Sequence, residues 1–217
     1  MNLNEIVDTG NIRPSKQTNS VRSSITSSLE LIGHGAFANV YKGKSPGTVI
    51  KVMETNNASD PYIKFINIAH HNQHNLFFPR IYSAKIVEQQ IPTTSYNSES
   101  VFVFIVQMEK LVPLTHSRLK EVTPYLMSQI GIRDHSDGAG LSLDFALDRL
   151  FSSRALRREM EKSATNNDFK QALRALDGLF NSSHVDVKTA NIMVRLTSKG
   201  PQLVLTDPVA PSYFIEM

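Results

Sequence analysis

The 217 residues contain no cysteine. That excludes a disulfide-stapled scaffold and thiolate-ligated zinc, and it suits a reducing compartment. No apolar run approaches the roughly 18 residues that a membrane-spanning helix needs. Asn4, Glu5 and Asp8 interrupt any signal-type apolar stretch at the start. The formal charge excess is small, +3 at neutral pH. Arginines are not interleaved with aromatics, so nothing argues for direct nucleic-acid binding. Two stretches are poor in acids. None lies between Asp8 and Glu30, and residues 55–87 hold no glutamate. What remains is a chain that is 41% apolar, enough for a core in one two-lobed domain or two small ones.

The strongest positive signal is His184-Val-Asp-Val-Lys-Thr-Ala-Asn191, with Asp207 sixteen residues further on. A His-x-Asp-x-Lys-x-x-Asn octet would arise by chance in on the order of one in a thousand chains of this length. Its residue types fit phosphoryl transfer, whose loose transition state needs positioning and charge neutralisation more than covalent chemistry. Asp186 is placed to accept or orient the hydroxyl proton of an acceptor, and Lys188 to reach a γ-phosphate from the same loop. Asn191 and Asp207 offer oxygens to Mg²⁺, a hard cation that favours such ligands together with substrate phosphates. The pattern predicts a strand from Ile192 to Arg195 and another from Leu203 to Asp207, joined by a turn at Ser198-Lys-Gly200. Such a hairpin carries one metal ligand at each outer end.

The partners of this motif stand upstream. Gly33-His-Gly35-Ala-Phe-Ala-Asn-Val40 lies between two short predicted strands, Leu29–Ile32 and Val40–Lys42. Gly33 and Gly35 would let backbone N–H groups approach ATP with no Cβ in the way. Phe37 would be the lid at the tip, and Val40 would lie under the adenine. The third glycine of G-x-G-x-x-G is Ala38 here, so the loop by itself is weak evidence. A dinucleotide-binding fold would need a helix immediately after it. Instead Ser45-Pro-Gly47 makes a turn and Thr48–Val52 continues as a strand carrying Lys51, a phosphate-contacting lysine in this order. Further on, Val101–Val106 reads as a buried strand leading into Gln107-Met-Glu-Lys-Leu111. This exit resembles the hinge of protein kinases, and the resemblance implies that Met108 walls an adenine pocket and that the backbones of Glu109 and Leu111 bond its edge.

These motifs, in this order, resemble the eukaryotic-type protein kinase fold. More narrowly, the chain resembles the early host-shutoff Ser/Thr kinases of short-tailed bacteriophages that encode their own RNA polymerase. The resemblance rests on Leu31 through Tyr41, Val49-Ile-Lys-Val52, Asp186 through Met193, and Thr206-Asp-Pro-Val209, where Asp-Pro-Val replaces the usual Asp-Phe-Gly. It covers about residues 29–210, the middle third only in length and pattern. It implies an α+β, two-lobed fold: an antiparallel N-lobe sheet over 29–112 and a reduced, mainly helical C-lobe over 113–217. It also implies ATP and Mg²⁺ as cofactors, phosphorylation of host transcription and translation proteins and of the chain itself, and action in the bacterial host cytoplasm. Two alternatives stay open. One is a small-molecule phosphotransferase of the same fold. The other is a catalytically silent relative that binds and inhibits a host partner.

Departures from the family pattern are specific. The strand lysine usually pairs with a glutamate on the next helix. The candidate helix here, Pro61 to Asn72, offers only Asp60, which with Pro61 reads as an N-cap and N1 pair. Lys51 is then left without that partner or dependent on Glu54. Val185 stands where an arginine usually precedes the catalytic aspartate. Ten residues follow Asp207, too few for a full activation segment.

The remainder reads more simply. Residues 1–28 form a flexible polar head in which eight of residues 15–28 are Ser or Thr; they are candidate self-phosphorylation sites beside Arg13, Lys16 and Arg22. Residues 89–100 read as a polar hairpin loop. Thr123-Pro124 reads as the N-cap and N1 pair of a helix. His135-Ser-Asp137 is a loop decoy, lacking the downstream Lys and Asn. Leu143, Leu147, Leu150 and Phe151 have helical spacing, as do Phe169, Leu173, Leu176 and Phe180. Arg154, Arg157, Arg158 and Lys162 form a basic run expected to be a solvated face or a dock for acidic segments. His70 and His74 share a helix face but lack the adjacent glutamate of zinc proteases. The ring of His184 is expected to bond backbone near Asp207.

Overall fold

The computed structural model describes residues 14–17, 27–35, 38–92, 98–131 and 143–210. The chain is mixed α+β and divides into two compact units, Met1–Asn67 with Arg80–Lys110, and Ile68–Pro79 with Leu111–Met217. Among the described residues no helix is long and apolar enough to cross a membrane.

The first unit holds a six-stranded sheet. Its strands are β1 (Pro14–Gln17), β2 (Leu31–His34), β3 (Ala38–Lys42), β4 (Thr48–Thr55), β5 (Ile81–Pro92) and β6 (Ser98–Glu109), in the spatial order β1-β5-β6-β4-β3-β2. All neighbours are antiparallel except β1, which runs parallel to β5. This strand corrects two expectations: part of the supposed flexible head is a sheet edge, and the sheet is not purely antiparallel. Parallel pairing is open to β1 because a long stretch of chain separates it from β5 and can make the crossover. The polar stretch after Gln89 does not leave the sheet at once. Pairing continues to Pro92↔Ser98; residues 93–97 lie outside the described residues.

Alternation along β4 and β6 sorts the side chains onto two faces. Ile50 and Val52 join Tyr41, Val87, Val103 and Ile105 in one buried cluster, against which Leu29 packs. Phe104 points the other way, and its ring meets that of Tyr62 edge-on at 6.1 Å. Tyr62 belongs to α1 (Pro61–His71). That helix starts as the sequence predicts: Asp60, fully buried, accepts the Tyr62 N–H on Oδ1 at 2.9 Å.

One glycine of this unit is required by close approach. A Cβ on Gly43 would stand 2.8 Å from the carbonyl carbon of Thr48 and collide with its hydroxyl. Gly43 N–H donates to Thr48 O at 3.0 Å, so the two backbones cannot separate without losing the turn. Gly43→Ala is expected to cost about 1–3 kcal/mol, read as a lowered unfolding midpoint. An unchanged midpoint would show that the β3–β4 turn is not held this tightly.

In the second unit the short β7 (Val112–Pro113) pairs with the hairpin β8 (Ile192–Thr197) and β9 (Gly200–Leu205). The hairpin turn needs Gly200, whose φ is +110°, a backbone region that a side chain disfavours. Helices α2 (Thr123–Ser128), α3 (Leu143–Ser152), α4 (Arg154–Ser163) and α5 (Asn167–Ser182) complete the unit. Thr123 is not the cap expected of it. A 3₁₀ turn, Ser117–Val122, runs straight into α2, Val122 takes the cap position, and the Thr123 hydroxyl donates back to Leu119 O at 2.9 Å. The predicted apolar stripe of α5 is buried along its length, at Phe169, Leu173, Leu176 and Phe180. Asn166 caps that helix by accepting from Asp168 and Phe169 N–H.

Three members of the basic run, Arg154, Arg158 and Lys162, are exposed as a solvated face requires, and Arg157 is the exception. Arg157 is 3% exposed, Arg154 faces Asp177 at 3.8 Å and Arg174 holds Glu161 at 2.6 Å. Segment 68–79 joins this unit through several ties. Arg195 donates to Leu76 O and Phe78 O, both at 2.9 Å. Leu205 N–H donates to Phe77 O at 2.9 Å, and the Phe77 and Phe169 rings lie 5.1 Å apart.

Candidate functional site

α5 delivers the chain to the octet. After Ser182 the backbone extends, and Val185 bridges to Val209 on the returning segment. Asp186 N–H donates to Pro208 O at 3.0 Å, and Ala210 N–H donates to His184 O at 3.0 Å. The stretch around Asp186 is therefore bonded to the stretch just past Asp207. This also corrects the expectation for His184. Its ring is exposed, and its carbonyl makes the tie instead.

Asn191 links the parts. Its side-chain amide donates to Asp186 O at 2.7 Å and to Asp186 Oδ2 at 2.9 Å. Its carbonyl accepts from Thr206 N–H at 3.2 Å, from the Thr206 hydroxyl at 3.0 Å and from Asp207 N–H at 3.4 Å. The hairpin register explains why: Ile192 pairs with Leu205, so Asn191 and Asp207 leave the same end. Lys188 places its ammonium 3.0 Å from Asp186 Oδ1, with the lysine side chain 46% and the aspartate side chain 27% exposed. The four residues singled out in the sequence, Asp186, Lys188, Asn191 and Asp207, stand together within the second unit.

The donor set suits Mg²⁺. Asn191 spends its amide hydrogens on Asp186, which leaves Oδ1 as its side-chain acceptor, and Asp207 adds a carboxylate. Among the described residues no three His, Cys, Asp or Glu side chains gather to hold a metal. Two protein oxygens with the rest supplied by water and phosphate is the coordination habit of Mg²⁺ rather than of zinc.

The first unit arranges the nucleotide-side candidates by register. Gly33 pairs with Val40, Val40 with Lys51, and Val49 with Met108. Cross-strand partners share a face, as do residues two apart on a strand. Gly33, Val40, Lys51 and Met108 thus lie on one face of four adjacent strands. Neither Gly33 nor Gly35 has a positive φ, and a Cβ on either would meet its nearest neighbour no closer than 3.9 Å and 3.7 Å. The fold makes no demand for glycine there. Gly35 N–H closes the loop on Ala38 O at 2.8 Å; Phe37 lies outside the described residues. Glu109 is buried, its N–H donates to Arg80 O at 3.0 Å, and its Oε1 accepts from Arg80 N–H at 2.8 Å. Any bond from the Glu109 backbone to a base must then come from its carbonyl. Leu111 is half-buried and belongs to the second unit.

Glu54 cannot serve Lys51. It pairs with Val103 and shares the face of Ile50 and Val52, opposite Lys51. The Lys51 ammonium lies instead over the ring of Tyr62, 4.1 Å from its centroid. Sequence reasoning missed Tyr62, whose spacing with Phe65 and Ile66 marks only a buried helix face. It also missed Asp144 on α3, whose Oδ1 accepts Thr189 N–H at 2.6 Å and braces the turn between Lys188 and Asn191. The two residues are far apart in sequence, and no local pattern announces the pair.

No protein-family model matches this chain, and neither does any curated protein.

Proposed function

We propose that the chain is an ATP-dependent protein serine/threonine kinase with a two-lobed, kinase-like fold, the first unit as N-lobe and the second as C-lobe. The observation that carries this reading is the clustering of Asp186, Lys188, Asn191 and Asp207, tied by the Asn191 side chain and the Lys188–Asp186 contact. Asp186 orients the acceptor hydroxyl and takes its proton as that oxygen bonds to the γ-phosphorus and the bond from phosphorus to the bridging oxygen breaks, releasing ADP. Lys188 neutralises charge on the transferred group and keeps the Asp186 carboxylate turned towards it. Asn191 and Asp207 are the ligands for Mg²⁺, which when bound supplies charge neutralisation at the phosphate oxygens. In the first unit Gly33, Val40 and Met108 share one face with Lys51, beside the loop that carries Gly35, and Lys51 offers a cation for phosphate.

Lys188 favours a protein acceptor over a small molecule, as small-molecule kinases of this fold more often carry histidine at that place. Host proteins, the transcription and translation machinery among them, are the proposed substrates, with the chain's own Ser/Thr-rich residues 15–28 as a further target. Action inside a bacterial host follows from the same reading. The test is transfer of labelled γ-phosphate from ATP with Mg²⁺, by the full chain alone and with bacterial lysate, beside Asp207→Ala. Label on lysate proteins or on the chain itself, lost in the variant, is the expected result. Nucleotide binding with no protein label would move the reading to a small-molecule acceptor or to a silent binding protein. Equal labelling by Asp207→Ala would remove Asp207 from the site.

A further inference from the structure

We infer that Asp144 is a positioning residue for phosphoryl transfer, capping from another helix the turn that sets Asn191 between Asp186 and Asp207. The role rests on the kinase reading, in which Asp186, Lys188 and Asn191 act at the phosphate. That turn is the single 3₁₀ turn Thr189–Asn191, closed by Asn191 N–H donating to Lys188 O at 2.9 Å. Bonds in such a turn reach three residues back, so its first N–H groups find no partner inside it. The residue just before a helical turn commonly supplies an oxygen. Here that residue is Lys188. Its extended backbone (φ −136°, ψ 168°) suits a cap, but its ammonium carries only donors and lies on Asp186 Oδ1 at 3.0 Å. The oxygen comes instead from Asp144, 45 residues away, whose Oδ1 accepts Thr189 N–H at 2.6 Å.

Asp144 stands on a firm base. It lies in the first turn of α3, and Asp144, Leu147 and Phe151 follow the i, i+3, i+7 spacing of one helix face. Leu147 and Phe151 are fully buried. The Phe151 ring meets those of Phe169 and Phe180 on α5 at 6.5 Å and 6.0 Å, and Phe151 O accepts from Arg157. α5 is the helix that runs into the octet. The octet is thus tied twice to one helix pair, through the chain from α5 and through Asp144 from α3. Asp144 is the polar end of an otherwise apolar face, placed where that face reaches the loop.

The contact is exposed, which separates a positioning role from a stabilising one. Water can satisfy Thr189 N–H once the carboxylate is gone, so stability changes little. Water does not fix the direction of the turn. Asn191 at its far end holds Asp186 through its side chain, and Thr206 and Asp207 through its carbonyl. A small swing of the turn therefore displaces Asp186 and both candidate Mg²⁺ ligands relative to one another, and a misplacement of about 1 Å is enough to cost much of a rate.

The test uses the full chain and reads kcat, KM for ATP and the Mg²⁺ concentration that gives half-maximal transfer, beside a thermal melt. Asp144→Ala is expected to lower kcat roughly tenfold and to raise the Mg²⁺ requirement, with KM for ATP within about twofold and the melt unchanged. Asp144→Asn keeps an acceptor oxygen and restores kcat to within about threefold. Thr189→Pro deletes the donor at a first-turn position that suits proline. It should lower kcat as far, and Asp144→Ala should add little on top of it. Hydrogen exchange at the Thr189 amide, slow in the wild type and fast in Asp144→Ala, reads the cap without any catalysis. Four results would overturn the inference: wild-type kcat in Asp144→Ala, an asparagine variant as slow as alanine, additive losses in the double variant, or a fall in melting temperature that accounts for the lost rate. An active wild-type chain whose Thr189 amide exchanges freely fails this inference alone. A chain that protects Thr189 but transfers no phosphate fails the kinase reading, and the positioning role goes with it.

Discussion

Asp186→Ala is expected to lower γ-phosphate transfer from ATP by at least ~10²-fold, about 2.7 kcal/mol of transition-state stabilisation. The backbone of residue 186 is held independently of its side chain, by the bond to Pro208 O and the Val185–Val209 bridge. Removing the carboxylate therefore leaves the loop in place. What is lost is the group that Asn191 and Lys188 hold at 2.9 Å and 3.0 Å. Asn191 keeps its bond to the Asp186 carbonyl at 2.7 Å, so its oxygen stays available to Mg²⁺. Nucleotide affinity should accordingly change little while the rate collapses. Asp186→Asn separates charge from shape: it keeps the volume, but an amide cannot take the acceptor proton, so its rate should be as low as alanine's. The measurement is single-turnover transfer at saturating ATP beside a thermal melt. Undiminished turnover in either variant, with folding intact, would sink the assignment of Asp186.

Arg157→Ala is expected to be the most destabilising single change outside the site, at about 2–4 kcal/mol. The buried guanidinium gathers three helices. It donates to Phe151 O in the last turn of α3 and to Asn181 Oδ1 on α5 at 2.7 Å, and it lies over the Phe180 ring at 5.3 Å. A cation at a helix C-terminus also meets the negative end of its dipole. Asp177 Oδ1 is 3.6 Å away, but the Asp177 side chain is 38% exposed, so water screens that pair and the hydrogen bonds matter more. Burial draws the Arg157 pKa down from the ordinary arginine value, with Asp177 opposing the shift; the guanidinium still keeps its charge at physiological pH. Its Nε has no partner, which offsets part of the gain. Alanine leaves Phe151 O and Asn181 unmatched and opens a cavity beside Phe180. Lysine should not rescue, because a single ammonium cannot serve two acceptors on different helices with the same geometry. Thermal unfolding of the second unit is the readout, and a melting temperature within a degree or two of wild type would show that this arginine does not join the helices.

Legibility differed by residue, and the differences have physical causes. The β2–β3–β4 order, the Asp60 cap, the α5 stripe and the β8–β9 hairpin were readable because each depends on residues close in sequence. Alternation, capping and turn chemistry act over a few positions, and the hairpin turn alone brings Asn191 to Asp207. Within the basic run only Arg157 misled, because a charge pattern does not say which of its members meets a buried carbonyl. The edge strand β1 misled because its pairing with β5 is remote and its composition is that of a loop.

By itself, then, the sequence determined the local elements and the candidate site residues of each unit. It also determined one long-range consequence, the meeting of Asn191 and Asp207, since a single short turn enforces it. Only the tertiary structure decided what stands beside Lys51, what braces Thr189, and where Arg157 goes. Those contacts join segments from separate elements, Tyr62 to β4, Asp144 to the octet and Arg157 to α3 and α5. They are set by which surfaces bury together, and no spacing along the chain encodes that.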